Sequence, residues 1–342
     1  MINIISQARL RRLSSGPKKV VDNLIKGLEE IGYPYAVNRR LDACQRLWIH
    51  DDVRALHYIK DLPKEIKVVV GPNLFVAPRN IPEGLDLSRA VYLQPSRWAA
   101  DFWRKSGFAA CPLEVWPAGI DTGEFAPSSE NKDLVFVYHK QRFPQELYAV
   151  LDVLNKKGVR FELIEYPKYN EKKFKKILAR SRYGIWLGRH ESQGIALEEA
   201  LASGVPLLVW DVRTIGHWQP SARERNIFLP EENKFSATSA EYFDNRCGIK
   251  IFEAREFDSA VARMEYSWRQ FDPRGYVMEN LSLEKQARDL IGVFYRHFGL
   301  TLEQGFKDTV LRQGKWRNDS MRARLLGWAK DGAKSALRIL KQ

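Results

Sequence analysis

The chain has 342 residues, more than one hydrophobic core usually organises, so its length favours two domains of about 150 residues each. Hydrophobic residues make up 44% of the chain and charged residues 28%, a balance that excludes disordered and fibrous proteins. The net charge of +13 favours anionic partners, and since no apolar run is long enough for a membrane span or a secretory signal, we expect a cytoplasmic protein.

The first half of the sequence alternates between short apolar strands and amphipathic helices. An opening strand, INIIS, is followed by a turn-like segment around Gly16 and by a helix whose apolar residues keep helical spacing up to Gly32. Further strands are expected at residues 46–50, 67–71 and 90–94. This alternation predicts a parallel α/β sheet. A polar stretch at 127–132 ends the pattern, and we place the first domain at 1–128.

The pattern starts again after the polar stretch. Strands are expected at 134–138, 160–166, 183–188 and 205–211, with helical sequence between them. A second open α/β sheet follows, in a domain that we place at 129–300. Two doubly wound domains facing each other would form a cleft at the carboxyl ends of their strands, where open α/β sheets bind ligands.

The last residues, 301–342, form a basic tail. From residue 305 onwards there are ten Lys and Arg against three Asp, about half of the net charge of the chain. Residues 320–342 show apolar side chains near helical spacing, with basic residues elsewhere, which predicts an amphipathic helix. Such a helix can lie on an anionic membrane surface or pack on the protein itself, and the sequence leaves both possibilities open.

No metal site is indicated by the sequence. The three cysteines, Cys44, Cys111 and Cys247, are far apart and form no C-x-x-C pattern, which supports neither a disulfide framework nor a zinc site. No Asp-x-Asp motif occurs either. We therefore expect no metal cofactor.

The most informative segment runs from residue 183 to residue 211. An apolar strand ends at Gly188, a polar loop carries Glu191, and a helix begins near Gly194 and contains Glu199. Free backbone N–H groups at a helix start can receive a diphosphate, and carboxylates accept hydrogen bonds from sugar hydroxyls. The alternative is that Glu191 offsets the helix dipole while Glu199 and its neighbour Glu198 lie on a solvated helix face.

This segment, E-S-Q-G-I-A-L-E-E-A-L-A-S-G-V-P-L at 191–207, resembles the retaining GT-B glycosyltransferases with two glutamates eight positions apart. Their pattern is roughly E-S-F-G-L-x-x-x-E-A-x-A-x-G-x-P-V. The stretches Q-P-S-R-W at 94–98 and W-P-A-G-I-D at 116–121 are similar to further motifs of that family. The resemblance spans roughly residues 1–300. It implies the GT-B fold, in which two Rossmann-like doubly wound domains face a central cleft.

The resemblance also implies a donor site. Glu191 would contact the hydroxyls of the donor sugar, and Glu199 the ribose hydroxyls of the nucleotide. Backbone amides of Gly194 and Ile195 would hold the diphosphate, and Ser192 would contact the donor beside them.

Basic residues of the donor site are harder to assign, because the family pattern G-R-x-x-x-x-K-G is missing after the strand at 134–138. Lys140 and Arg142 offer basic side chains at another spacing, and we assign both to the leaving diphosphate as catalytic residues together with Glu191. A solvated basic loop is the alternative. Gly16 is a reduced form of the glycine-rich turn that the family places near the donor phosphates.

The first domain of this family often contributes a histidine near the reacting carbon. His50 and His57 are the candidates here, and Asn73 lies where a group at the end of a strand could serve instead. Each of them could equally be an ordinary loop or core residue.

The implied activity is transfer of a sugar from a nucleotide-diphosphate sugar to a glycan or lipid-linked acceptor, with retention, in cell-surface polysaccharide or glycolipid synthesis. Two alternatives stay open. A nucleotide-sugar epimerase uses the same fold, and the net charge of +13 would suit a nucleic-acid-binding protein. The latter would need basic residues interleaved with stacking aromatics, which the tail, with one Trp among residues 320–342, does not offer.

Overall fold

The computed structural model describes residues 1–10 and 15–299. Residues 1–300 form one compact unit. The amphipathic helix predicted at 320–342 lies outside the described residues.

The first half of the described chain forms a six-stranded parallel sheet in the order β2-β1-β3-β4-β5-β6. Its strands are β1 (Ile2–Ile5), β2 (Tyr35–Val37), β3 (Arg46–Ile49), β4 (Lys67–Val70), β5 (Ala90–Gln94) and β6 (Leu113–Val115). The strands β1, β3, β4 and β5 are those expected from apolar runs. The short strands β2 and β6 are only partly buried, and their sequence carries too weak an apolar signal to predict them.

Three helices belong to this half, α1 (Gly16–Glu30), α2 (Val53–Leu56) and α3 (Arg97–Lys105). Ser15 caps α1, since its side chain accepts a hydrogen bond from the backbone N–H of Lys18. Ser96 caps α3 in the same way. A serine hydroxyl at this position satisfies one of the N–H groups that a helix start leaves without a partner.

The second half forms a five-stranded parallel sheet in the order β11-β10-β9-β7-β8. Its strands are β7 (Leu134–Lys140), β8 (Phe161–Glu165), β9 (Ser181–Gly188), β10 (Leu207–Trp210) and β11 (Gly248–Ile251). The helices that follow its strands are α4 (Pro144–Lys156), α5 (Glu171–Arg180), α6 (Ile195–Ala202) and α7 (Ala254–Ser267). The prediction of two doubly wound α/β sheets is therefore confirmed.

The described chain ends with α8 (Pro273–Leu281) and α9 (Leu283–Phe298), and α9 packs against α1 of the first half. Its buried side chains, among them Leu290 and Phe294, share one core with the first sheet. The contact is close, because a side chain at Gly27 of α1 would collide with the backbone of Leu283. The domain bounds at 128 and 300 stay a prediction, although α9 completes the core of the first sheet.

The segment between β10 and β11 also joins the two halves. Ile215 and Ala237 belong to the hydrophobic core on the other side of the first sheet. Phe228 and Phe235 contact Phe102 of α3 edge-on, with ring centroids 5.9 and 5.4 Å apart. The packing of this segment fixes the loops at the carboxyl ends of one sheet against those of the other.

No helix within residues 1–10 and 15–299 has the length and apolar character to span a bilayer.

Candidate functional site

An ion pair lies where the central strands of the second sheet end. Lys140 is the last residue of β7, and its backbone is paired with Gly188, the last residue of β9. Glu191 follows three residues after Gly188, so the two side chains meet, with Nζ of Lys140 2.5 Å from Oε1 of Glu191. Lys140 also lies over the Tyr166 ring, with Nζ 4.5 Å from the ring centroid. The sequence analysis had assigned both charged residues to this site, and the fold brings them together.

Two side chains from the first sheet hold the same loop. Trp98, at the start of α3, donates a hydrogen bond from Nε1 to the backbone carbonyl of Glu191 at 2.9 Å. Asn73, just after β4, donates from Nδ2 to Oγ of Ser192 at 2.8 Å. The loop that carries Glu191 and Ser192 is thus fixed by residues from both sheets. Trp98 was part of the motif Q-P-S-R-W but was not singled out as a functional residue.

Helix α6 begins beside this ion pair. Gly194 precedes it with φ of +102°, a backbone conformation that favours glycine. The N–H groups of Leu197 and Glu198 bond to the Gly194 carbonyl, so the amides of Gly194 and Ile195 precede the hydrogen bonds of the helix. Helix starts of this kind attract anions through their amides and the helix dipole. A Cβ placed on Gly194 would lie 3.8 Å from Cβ of Glu191, so the predicted diphosphate position lies beside the Lys140–Glu191 ion pair.

Gln193 joins the start of α6 to the first sheet. Its Oε1 accepts a hydrogen bond from the backbone N–H of Ala118 at 2.9 Å, and its Nε2 donates to the carbonyl of Ala118 at 2.8 Å. The same Nε2 lies 2.8 Å from Oε2 of Glu198. The family pattern has an aromatic residue at the position of Gln193, so this connection between the domains could not be inferred from the resemblance.

Both glutamates of α6 are buried, which shows that the alternative of a solvated helix face is wrong. Glu198 and Glu199 are 0% and 3% exposed. Burial, helped by the nearby carboxylates of Glu199 and Glu191, raises the pKa of Glu198 to about 8, although the hydrogen bond from Gln193 opposes this shift. Burial also raises the pKa of Glu199, to about 7, although a lysine opposes this shift. Burying an ionised carboxylate away from water destabilises the fold unless the carboxylate is paired, and otherwise the group takes up a proton.

The lysine beside Glu199 is Lys19, which comes from α1 of the first half. Its Nζ lies 2.5 Å from Oε1 of Glu199 and 2.9 Å from Oε2 of Glu171. Burial lowers the pKa of Lys19, but the two carboxylates outweigh burial and raise it, so the side chain stays charged. The sequence analysis missed Lys19, because its position in α1 carries no sign of a partner 180 residues away.

The environment of Arg142 does not fit its sequence-based assignment to the leaving diphosphate. Its side chain is 0% exposed and forms a bidentate ion pair with Glu146 of α4, at 2.5 and 2.9 Å. It also donates to the carbonyls of Gly188 and Trp210 at 3.2 and 2.7 Å. The guanidinium is therefore committed to the ends of β9 and β10. Its role is to hold the carboxyl edge of the sheet together rather than to meet a ligand.

Gly16 lies at the start of α1, and a side chain there would meet nothing within 4 Å. The fold therefore does not require glycine at this position, and its donor-binding role stays a prediction. The loop before α1 is held by Asp51, whose carboxylate accepts hydrogen bonds from the backbone N–H groups of Gln7 and Ala8 at 2.8 and 2.7 Å. These two backbone N–H groups therefore donate to Asp51 and not to a phosphate.

The histidine candidates differ in environment. His50 is buried, and its Nε2 lies 3.1 Å from the carbonyl of Pro17. Burial lowers the pKa of His50, which keeps the ring neutral. His57 is exposed at the end of α2. A third ring, His190, was not singled out and is buried edge-on against Trp98, with centroids 5.8 Å apart. Burial and nearby cations hold the pKa of His190 well below its usual value.

No group of three or more His, Cys, Asp or Glu side chains in the described part of the chain is arranged to hold a metal ion. That the activity needs no metal cofactor stays a prediction, which rests on the absence of metal-binding motifs from the sequence.

No protein-family model matches the sequence, and no curated protein sequence matches it. Solved structures with the same architecture do exist. Sucrose-phosphate synthase from Thermosynechococcus elongatus superimposes with a TM-score of 0.55 at 10% identity, covering 88% of this chain and 99% of its own. The Anabaena HepE protein in complex with UDP and glucose gives a TM-score of 0.54 at 10% identity, covering 86% and 99%.

The catalytic domain of starch synthase IV from Arabidopsis thaliana, bound to ADP and acarbose, gives a TM-score of 0.54 at 11% identity and covers 86% and 98%. At this level of identity the likeness concerns the fold. The two parallel sheets of this chain, with six and five strands, belong to an architecture shared with these structures over 98–99% of their length, as the resemblance of the motif at 191–207 implies. The chain has the GT-B fold.

Proposed function

We propose that this chain is a glycosyltransferase that takes a sugar from a nucleoside-diphosphate sugar and transfers it to a glycan or lipid-linked acceptor. The observation that carries the proposal is the placement of the Lys140–Glu191 ion pair beside the first amides of α6, at the junction of the two sheets. A cation and backbone N–H groups suit a diphosphate, and a carboxylate suits sugar hydroxyls. One small region thus offers the groups that a nucleotide sugar requires.

The chemistry follows from where charge develops. As the bond between the sugar and the diphosphate breaks, negative charge grows on the leaving phosphate oxygen. Lys140 and the amides of Gly194 and Ile195 would meet that charge as donors that are already fixed in the fold, and fixed donors stabilise developing charge without reorganisation. Glu191 would accept hydrogen bonds from the sugar hydroxyls, and Glu199, just over one helical turn into α6, would accept those of the ribose.

In this scheme Lys140 must exchange part of its contact with Glu191 for the diphosphate. The two side chains are 13% and 15% exposed, so a donor molecule bound among the loops at the strand ends can contact both. Donor binding would place the phosphates on one side of Lys140 and leave Glu191 free to turn toward the sugar. The charge of the phosphates is met by Lys140 and the helix amides, so we propose that no metal ion takes part.

Two of the similar structures support a nucleoside diphosphate as the ligand. HepE holds UDP and glucose, and starch synthase IV holds ADP and acarbose. The two glutamates at the E-x7-E spacing favour a reaction with retention, and we propose a role in the synthesis of cell-surface polysaccharide or glycolipid.

The test is a screen of nucleotide sugars by thermal shift, followed by a transfer assay with the donor that raises the melting temperature most. A ligand that binds only the folded state stabilises it in proportion to its affinity. Glu191→Ala and Lys140→Ala should each abolish transfer while the protein stays folded. Lys156→Ala and Asp152→Asn serve as matched controls, because these two side chains form an exposed ion pair on α4 of the same half.

Wild-type rates in folded Glu191→Ala protein would refute the proposal. Conversion of the donor to an isomer in the absence of any acceptor would instead identify an epimerase, which is the alternative on the same fold. If the sugar that is released or transferred has the same configuration at its ring carbons as the sugar of the donor, the epimerase alternative is excluded.

A further inference from the structure

The contact between Lys19 and Glu199 is an unusual feature of the cleft, because it joins a helix of the first sheet to the helix that starts at the donor site. Nζ of Lys19 lies 2.5 Å from Oε1 of Glu199, whose side chain is 4% exposed. Within the described residues, this is the only hydrogen bond that the Glu199 carboxylate receives. A buried carboxylate normally needs several donors or a cation to remain charged.

The surroundings of Glu199 are otherwise acidic. Lys19 is the cation in direct contact with it, and it is held in place by a second carboxylate, Glu171, at 2.9 Å. The other ionisable groups that face Glu199 come from its own helix, from α5, from the loop after β8 and from the segment after β6: Glu198, Glu171, Tyr169 and Glu124. Lys175 lies in the same network but contacts Glu124 and Glu171, at 2.5 and 3.4 Å.

We propose that Lys19 is a positioning residue for the nucleotide: its ammonium group holds Oε1 of Glu199 so that Oε2 is presented as an acceptor to the ribose hydroxyls. The inference rests on the proposed function, because it assumes a nucleoside diphosphate at the start of α6. It adds a contribution from the first domain to a contact that otherwise belongs to the second.

The physical reason is that a carboxylate and a carboxylic acid behave differently toward a ribose. An ionised carboxylate accepts hydrogen bonds with both oxygens, whereas a protonated one carries a donor and loses acceptor capacity. Hydrogen bonds to a charged acceptor are also stronger than those to a neutral one. Without Lys19, the remaining neighbours of Glu199 would be acidic or neutral, and the proton would stay on Glu199 to a higher pH.

The experiment compares ribose and deoxyribose nucleotides. Wild type is titrated calorimetrically with UDP, ADP and GDP, and the nucleotide that binds best is then compared with its 2′,3′-dideoxy form. The variants are Lys19→Met, Lys19→Gln and Lys19→Arg. Lys26→Met is the matched control, since Lys26 lies two turns further along α1 and pairs with Asp121 and Glu124 at the surface. Thermal melting confirms that each variant is folded.

We expect wild type to prefer the ribonucleotide by about tenfold or more, the size of a hydrogen bond to a charged group. Lys19→Met and Lys19→Gln should lose most of this preference while binding the dideoxy nucleotide as wild type does. Lys19→Arg should restore the preference, and Lys26→Met should leave it unchanged. A purely structural role for Lys19 would instead weaken the binding of both nucleotides equally.

The pH dependence gives a second readout. The pKa of Glu199 is raised to about 7 by burial, so the ribose preference of wild type should grow as the pH rises through this region. In Lys19→Met the same increase should occur at a higher pH, because the cation that favours the ionised form is missing.

The outcomes separate the two proposals. If wild type binds none of the three nucleotides, the proposed function itself fails, and this inference with it. If wild type binds but Lys19→Met and Lys19→Gln keep both the ribose preference and its pH profile, the role of Lys19 is refuted and the donor site stands. Tighter binding of the ribonucleotide by Lys19→Met would show that Lys19 competes with the ribose, which also overturns the inference.

Discussion

Arg142 offers the sharpest test of how the second sheet is held together. Replacing it with Met keeps most of the aliphatic volume but removes the guanidinium from a site that is 0% exposed. Five hydrogen bonds disappear: two to Glu146, one each to the carbonyls of Gly188 and Trp210, and a longer one of 3.5 Å to Nε2 of His217. The carboxylate of Glu146, which is 12% exposed, would keep two partners, Nε2 of His217 at 2.9 Å and the backbone N–H of Phe143 at 3.2 Å.

The expected cost is large because one member of a buried ion pair is removed and the other stays behind. Such changes destabilise proteins by about 3–5 kcal/mol. With an unfolding entropy of about 2.1 cal/mol/K per residue, each kcal/mol lowers the melting temperature of a chain of this size by about 1.4 °C, so a fall of about 4–7 °C is expected. Calorimetry or circular dichroism measures this directly. The control is Lys156→Ala, which breaks the exposed ion pair on the same helix and should change stability by about 0.5 kcal/mol or less.

We also expect the stability lost in Arg142→Met to depend on pH. Burial raises the pKa of Glu146, but the hydrogen bonds from His217 and Arg142 outweigh it and lower the pKa to about 2. A carboxyl group with a lowered pKa stabilises the fold above its unfolded value, about 4.3, and this contribution is lost as the pH falls toward 2. The difference in stability between wild type and Arg142→Met should therefore shrink between pH 6 and pH 3. A melting temperature within 2 °C of wild type at pH 7, or a constant difference across this range, would contradict the structural role of Arg142.

Further substitutions test other parts of the structure. Gly194→Ala should cost about 1–3 kcal/mol by urea unfolding, because φ is +102° there, and should weaken nucleotide binding; Gly16→Ala is the control and should leave stability unchanged. Gly184→Ala should lower stability by about 1–3 kcal/mol or more, because the added methyl group would collide with the ring of Phe136. Glu198→Gln should reduce the loss of stability that wild type shows as the pH rises from 5 to 8, since a carboxyl group with a pKa raised to about 8 favours folding only while it is protonated. A pH profile of Glu198→Gln that coincides with that of wild type would argue against a protonated Glu198 in the folded protein.

The local structure of the proposed donor site could be predicted from the sequence because each element depends on its neighbours in the chain. Strand β9, the polar loop and helix α6 follow from an apolar run, a break and helical spacing, all between residues 181 and 202. Gly194 marks the helix start for a local reason too, since its backbone conformation favours glycine. The same holds for β1, β3, β4 and β5, whose buried runs of four or five residues are bounded by polar sequence.

The assignments that changed are those that depend on which side of a sheet edge a side chain faces. Lys140 and Arg142 lie two residues apart and looked equivalent in the sequence. In the fold, Lys140 ends β7 and meets Glu191, whereas Arg142 turns under the ends of β9 and β10 and is fully buried. The difference comes from the turn between them, where Gln141 has φ of +50°. Spacing alone does not reveal such a reversal.

The sequence by itself determined the two α/β sheets and the strand, loop and helix that carry the proposed donor residues Glu191 and Glu199. Only the tertiary structure decided that α9 returns to the first core, that Gln193 bonds to Ala118, and that Lys19 meets Glu199. The last two contacts join residues 75 and 180 positions apart, and all three depend on how two independently patterned sheets are brought together. Periodicity and turn residues specify each element from its own neighbours, but the approach of one domain to the other is set by packing across the whole chain.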